Sequence, residues 1–209
     1  MALFPRAFAP ILILMLCVIV PTEALAKKRK LRTGGTAYVK EPPPPPMLEP
    51  GLWAGPEVPG TKAVLLEDGT AAAPADAPPQ VKQAIWAANA LQELPYRYGG
   101  GHNLDFEVTE GADCSGTVSF VLNAAGLLKA PLDSGSFMRW GMRGRGAWIT
   151  VFTNPGHAYV KLAGLRLDTS IAGMTRDSAI AASAFERGPR WRPMERDPSG
   201  FVRRHPLSF

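Results

Sequence analysis

Prolines divide this chain into two parts of different character. Eleven of its 21 prolines fall between residues 27 and 80, five of them in the run Pro42 to Pro46. Prolines favour extended polyproline backbone, and a segment with few large apolar residues buries too little surface to offset its loss of conformational entropy. We therefore predict a basic, proline-rich disordered tether over residues 27–80, which leaves residues 81–209 for one compact domain.

The first 26 residues have the layout of a secretory signal peptide. Arg6 precedes an apolar run from Ile11 to Val20, and Ala24-Leu25-Ala26 precedes a basic cluster. This order is typical of a cleaved signal, and the apolar run is short for a membrane span, which needs about 20 apolar residues. We predict a signal peptide over residues 1–26 and an exported protein, periplasmic, extracellular or associated with the cell wall, with no stable membrane insertion after cleavage. The alternative is an uncleaved anchor.

The formal net charge of +5 lies in one short segment. Five basic residues between Lys27 and Arg32 carry it, and from residue 33 onward 17 basic residues balance 17 acidic ones. The chain shows no zinc-ligand spacing, no helix-turn-helix pattern and no basic stripe with interleaved aromatics. We therefore expect no nucleic-acid partner, and the basic segment is interpreted as a solvated tail. No segment identifies a protein partner.

The domain shows helical periodicity first and strand patterns later. Apolar residues at helical spacing predict one helix from Val81 to Glu93 and a second from Cys114 to Ala125, with Asp113 as N-cap and Gly126 as its stop. Short runs rich in β-branched and aromatic residues predict three strands: Ala147 to Phe152, His157 to Leu162 and Leu165 to Thr169. Helices followed by an antiparallel meander predict an α+β domain.

Cys114 is the only cysteine outside the predicted signal peptide. Exported proteins usually pair their cysteines, so a single one indicates an intermolecular disulfide, a reactive thiol or a small buried core residue. At the first turn of a helix the free N–H groups and the macrodipole stabilise a thiolate and lower its pKa. They can also stabilise the oxyanion that forms when a carbonyl is attacked. Cys114 is therefore a candidate nucleophile, which needs a base.

The chain offers three histidines as that base. His102 lies in a glycine-rich loop and His205 in the C-terminal stretch, whereas His157 opens a predicted strand, from which a side chain can reach a cleft. A two-residue turn at Ala163-Gly164 would place His157 and Asp168 on one face of the hairpin, within reach of each other. A carboxylate there can orient the imidazole. Alternatively, His157 is an ordinary surface residue, and Asp168 bonds locally or pairs with Arg166.

These residues resemble the motifs of a known family. The segment Pro95-Tyr96-Arg97-Tyr98-Gly99-Gly100, the tetrapeptide Asp113-Cys114-Ser115-Gly116 heading a helix, and Gly156-His157 opening a strand resemble the NlpC-type cell-wall cysteine peptidases. The resemblance spans about residues 81–170. It implies a papain-like fold, with the nucleophile on a helix packed against a small antiparallel sheet, and hydrolysis of the peptide stems of peptidoglycan.

The resemblance also implies roles for individual residues. Cys114 would be the nucleophile, His157 the general base and then acid, and Asp168 the orienting residue, where the family more often has His, Asn or Gln. Tyr96 would lie beside the thiol, and Asp113 and Ser115 would help to hold the free amine end of a stem peptide. Tyr96 can alternatively be a packed aromatic and Asp113 a plain helix cap.

A cysteine peptidase acting on peptidoglycan stem peptides is therefore the predicted function, with no metal or organic cofactor. Two alternatives stay open. The domain could have kept the fold and lost turnover, binding wall peptides or a partner protein, or it could perform amidase or acyl-transfer chemistry on another substrate, because a fold does not fix a function.

Overall fold

The structure, a computed structural model, describes residues 53–103, 110–171 and 186–209. They belong to the second of the chain's two structural units, Pro43–Phe209, so the predicted signal peptide and residues 27–52 of the predicted tether lie outside the described residues. The elements in chain order are β1 (Glu57–Val58), β2 (Val64–Leu65), β3 (Ala71–Pro74), α1 (Pro79–Asn89), α2 (Cys114–Ala124), α3 (Ser134–Phe137), β4 (Met142–Arg143), β5 (Ile149–Asn154), β6 (His157–Leu162), β7 (Leu165–Asp168), β8 (Arg190–Arg192) and β9 (Val202–His205).

The tether prediction is wrong over residues 53–80, which form the first layer of the domain. β3 is the centre of a small sheet in the order β1-β3-β2, and all four of its residues are buried. The side chain of Asn89 in α1 accepts a hydrogen bond from Ala71 N at 2.8 Å and donates one to Ala71 O at 2.9 Å. Gln83 of α1 bonds the backbone of Trp53 in the same two-sided way. The core of this layer is therefore built from buried alanines, and its backbone groups are bonded by the side-chain amides of α1. A search for large apolar residues does not detect such a core.

Helix α1 begins two residues earlier than predicted and ends four residues earlier. Pro79 opens it, since the fixed φ of proline suits the first helical position. After Asn89 the chain continues in tighter turns, with N–H groups bonded three residues back at Ala90, Leu91 and Gln92. Leu91 remains buried as the periodicity predicted.

Helix α2 forms the centre of the domain, and its predicted start, cap and stop are confirmed. Asp113 accepts a hydrogen bond from Gly116 N at the N-cap. Gly126, with φ +69°, ends the helix, and its N–H bonds Asn123 O while Leu127 N–H bonds Leu122 O, which is a Schellman motif. The helix is buried almost throughout because α1 packs on one side and β6 on another.

The predicted strand meander is present, and it belongs to a larger sheet. That sheet has six described strands in the order β4-β9-β5-β6-β7-β8. Ala163 and Gly164 both have positive φ, +46° and +91°, which is the geometry of a two-residue type I′ turn. Leu162 therefore pairs with Leu165, as predicted. The sheet and the helices make the domain α+β.

The C-terminal segment completes the sheet at two places. β8 pairs with β7, while β9 inserts between β4 and β5. Between them the chain crosses one face of the sheet, where Phe201 packs edge-on against Tyr159 with ring centroids 5.3 Å apart. Tyr159 in turn stacks on Phe152 at 4.7 Å. The tail thus covers part of the face that carries His157, where Tyr159 is buried.

Candidate functional site

Cys114 is the first residue of α2, and its thiol is free and partly exposed. Burial alone would raise the pKa of this thiol. The hydrogen bonds of the sulfur with the His157 side chain and the backbone N–H of Ala158 act in the opposite direction and hold the pKa below its ordinary value. Of the interpretations of a single cysteine, the geometry favours the reactive thiol, because a lowered pKa gives more thiolate at neutral pH.

His157 connects the thiol to a carboxylate. Its Nε2 lies 2.8 Å from Asp168 Oδ1, which leaves Nδ1 as the ring nitrogen for Cys114. Burial would lower the pKa of the imidazole, but the hydrogen bonds with Asp168 and Cys114 raise it to about 9. The contacts of the pair thus shift the thiol toward thiolate and the imidazole toward imidazolium, which is the charge state that a cysteine nucleophile uses.

Asp168 closes β7 and is only 1% exposed. Its Oδ1 also accepts a hydrogen bond from Ser170 N at 2.8 Å. Burial alone would raise the pKa of this carboxyl, and the hydrogen bond from His157 is the strongest of the effects that hold it below the usual value. The register predicted from the turn thus brings His157 and Asp168 together as an ion pair.

Two arginines occupy the other oxygen of Asp168. Arg196 Nη1 lies 3.0 Å from Oδ2, and Arg166 Nη1 lies 3.5 Å from it. Arg166 was one of the alternatives from the sequence, and the carboxylate in fact takes both partners. Arg196 also lies over the rings of Tyr159 and Phe201, at 5.2 and 4.9 Å from their centroids. Arg196 was missed because no spacing in the tail marks it.

Asp113 and Ser115, predicted to bind substrate, have partners within the protein. Asp113 is 6% exposed, and its Oδ1 accepts from Gly116 N at 2.7 Å and from Ser115 Oγ at 3.1 Å. Its Oδ2 accepts from Gly99 N at 2.9 Å. His102 Nε2 lies 3.1 Å from Oδ1. The cap thus fastens the glycine-rich loop to the helix, and a contact of Asp113 or Ser115 with substrate stays a prediction.

The loop approaches the helix so closely that glycine is required there. A Cβ on Gly116 would lie 2.0 Å from Gly100 O, far inside van der Waals contact. Gly116 therefore serves the packing of the loop on α2.

Tyr96 lies near enough to Cys114 for the two side chains to interact electrostatically, and a direct contact of its hydroxyl with the thiol stays a prediction. Its backbone forms a bridge with Ala112, two residues before Cys114. Burial raises the pKa of its hydroxyl, and the negative charges of Cys114 and Asp113 raise it further. Tyr96 and His157 also line a cleft of about 470 Å³ together with Thr169, Ser170, Ile171 and Arg187. Arg187 gives this cleft a cation that the sequence did not reveal.

The remaining candidate histidine lies elsewhere. His205 Nδ1 donates to Pro206 O at 2.9 Å within β9 and the turn that follows it. Among the described residues no group of three His, Cys, Asp or Glu side chains is placed to hold a metal ion. Within the same part of the chain, no helix has the length and apolar character that crossing a membrane requires.

Comparison of the chain with protein-family models, with curated proteins and with solved structures gave no match. The site must therefore be interpreted from its own geometry.

Proposed function

We propose that the protein is an exported cysteine peptidase of the papain-like NlpC type, which hydrolyses the peptide stems of peptidoglycan. The observation that carries the proposal is the position of His157, hydrogen-bonded to the thiol of Cys114 and to the buried carboxylate of Asp168. A nucleophile, a base and an orienting group in this order form the minimal apparatus for acyl transfer.

The thiolate of Cys114 attacks the amide carbonyl carbon, and the C–O π electrons move to oxygen. The N–H groups of the first turn of α2 that the cap does not use are suited to stabilise this oxyanion. Collapse breaks the C–N bond, the His157 imidazolium gives its proton to the leaving amine, and a thioester remains. Water then attacks the thioester while His157 takes its proton, which releases a carboxylic acid and restores the ion pair.

Asp168 acts through His157. It fixes the ring through Nε2 and stabilises the imidazolium that exists before attack. His157 pairs with one oxygen of the Asp168 carboxylate, and Arg166 and Arg196 balance the negative charge on the other oxygen. The carboxylate therefore stays ionised in a buried position, where a lone carboxyl would take up a proton.

The choice of substrate rests on the resemblance of the loop and nucleophile motifs, and the cleft supports it. Arg187 and His157 line the same cleft. Their positive charges favour a substrate that carries a carboxylate near the scissile amide. Peptidoglycan stems contain both amides and free carboxylates.

The test is hydrolysis of defined stem peptides by the purified protein, with products identified by mass. We expect Cys114→Ala to abolish product formation and His205→Gln, a histidine change outside the site, to leave it near the wild-type rate. If wild-type protein binds the peptides without cleaving them, the binding-domain alternative is correct. Transfer of the acyl group to an added amine in place of water would indicate an acyltransferase.

A further inference from the structure

A second cavity, lined largely by arginines, lies among α3, β4 and β9. Its volume is about 540 Å³, and its lining includes Arg139, Arg143, Arg203 and Arg204 with the apolar side chains Phe201 and Val202. We call it the arginine groove. Nothing in the proposed chemistry uses these four cations.

The charges of the arginine groove are not balanced from within the described part of the chain. No carboxylate there lies within 4 Å of any of the four guanidinium groups, in contrast with Arg166 and Arg196. Arg204 donates to the backbone oxygen of Met138. The charge of Arg139 does act on the carboxyl of Asp133, but weakly. The pKa of that carboxyl is lowered mainly by the hydrogen bond from the backbone N–H of Ser136, and the charge of Arg139 is the smallest of the contributions.

The pairing of β4 with β9 adds a repulsion. Arg143 lies directly opposite Arg204 in that pair, and like charges in facing positions destabilise a sheet. From residue 33 onward the chain has as many acidic as basic residues, so this concentration of cations is local. An anion bound between the two guanidinium groups would offset the repulsion.

The arginine groove adjoins the candidate active site through one side chain. Phe201 lines the groove, and its ring meets the ring of His157 edge-on with centroids 6.2 Å apart. The groove and the candidate active site are therefore separated by the thickness of one aromatic side chain.

We infer that the arginine groove binds a part of the substrate remote from the cleaved bond, and that this part is an acidic peptide chain bearing free carboxylates. Guanidinium groups match carboxylates with paired hydrogen bonds, and the backbone of such a chain can lie against Phe201 and Val202. The choice of a peptide over another polyanion rests on the proposed function, whereas the binding of an anion rests on the groove alone.

The test measures binding to full-length protein without turnover. Cys114→Ala protein, with the five basic residues between Lys27 and Arg32 changed to Gln, is titrated into a fluorescein-labelled peptide of ten glutamates at low salt. The groove variant adds Arg139→Gln and Arg143→Gln, and the control adds Lys62→Gln and Lys129→Gln, which are exposed and outside the groove. Circular dichroism checks the fold of each.

We expect Kd to rise about tenfold in the groove variant and less than twofold in the control. If both variants weaken binding equally, or if the parent protein does not bind the peptide, the inference is wrong. Polyphosphate of ten units or vesicles of anionic lipid displacing the peptide at lower concentration would assign the groove to phosphate instead. If the double variant does not fold, Arg139→Gln is compared with Lys129→Gln. Because no step requires hydrolysis, failure of the proposed function leaves this result interpretable.

Discussion

Two buried aspartates support the candidate site from opposite sides, and they are held in different ways. Asp113, on the helix side, accepts hydrogen bonds from backbone N–H groups and a hydroxyl and lies 3.1 Å from His102 Nε2, all within 14 residues along the chain. Asp168, on the sheet side, pairs with His157, Arg166 and Arg196, the last of them 28 residues away.

The two sets of partners indicate two tasks. Most donors to Asp113 are neutral, and they fix the position of its carboxylate at the N-cap of α2, so we interpret Asp113 mainly as a structural cap. The charged partners of Asp168 fix both the position and the ionisation of its carboxylate. One of these partners, His157, is also hydrogen-bonded to the thiol of Cys114. The helix side therefore fixes where the sulfur lies, whereas His157 and Ala158 on the sheet side lower the pKa of the thiol against the effects of burial and of the charge of Asp113.

Changing each aspartate to asparagine tests this comparison most strongly. Asp168→Asn removes the charge that stabilises the imidazolium and can leave the ring in the wrong tautomer, so we expect kcat/KM on the stem peptide to fall by about 10³-fold or more. Asp113→Asn keeps an oxygen for Gly116 N but loses the acceptor of Gly99 N, and we expect a loss of about tenfold. Steady-state kinetics on both proteins provides the measurement. Equal losses would show that the two sides of the site do not differ as described.

The pH dependence of Cys114 alkylation sharpens the comparison. The pKa of Cys114 is lowered by its hydrogen bond with His157, against the effect of burial. Without the imidazole the burial effect prevails, so in His157→Gln the pKa rises and the thiolate fraction at neutral pH falls. We expect the iodoacetamide rate at pH 7 to drop by about 10- to 100-fold and its inflection to move to higher pH.

His102→Gln is the matched control for that experiment, since His102 contacts Asp113 and Ser115 and lies on the helix side. Its alkylation profile should coincide with that of the wild type. A profile shifted as far as that of His157→Gln would mean that the helix side also determines the protonation of the sulfur.

The same contrast explains what the sequence could predict. The cap and stop of α2 and the turn at Ala163-Gly164 are local signals, since each depends on residues a few positions apart. The turn fixed the register of the hairpin, and the register placed His157 near Asp168. The most informative prediction was therefore the turn, because a local sequence signal fixed a contact between two residues 11 positions apart.

The parts that were missed depend on pairing between remote segments. Residues 53–80 pack through small alanines and through the amides of Gln83 and Asn89, and neither gives a periodic signal. β9 lies between β4 and β5 although about 50 residues separate it from β5 in the chain. Arg196 reaches Asp168 only because the tail crosses the sheet, and no local pattern encodes that path.

The smallest expected effect concerns the outer partner of Asp168. Arg196→Met keeps most of the packing on Tyr159 and Phe201 but removes one cation from a buried carboxylate. Because Arg166 and His157 remain as partners, we expect the free energy of unfolding to fall by about 2 kcal/mol, and kcat/KM to fall by less than in Asp168→Asn.

Lys161→Met is the control for Arg196, because Lys161 pairs with the exposed Glu195 at 2.6 Å on the same face of the sheet. A surface pair of this kind contributes about 0–1 kcal/mol, so urea unfolding should place this variant close to the wild type. The alkylation profile of Cys114 distinguishes a positioning role from a purely structural one. If Arg196 positions Asp168, the profile shifts in Arg196→Met and not in Lys161→Met, whereas loss of stability with an unchanged profile would confine Arg196 to holding the tail on the sheet.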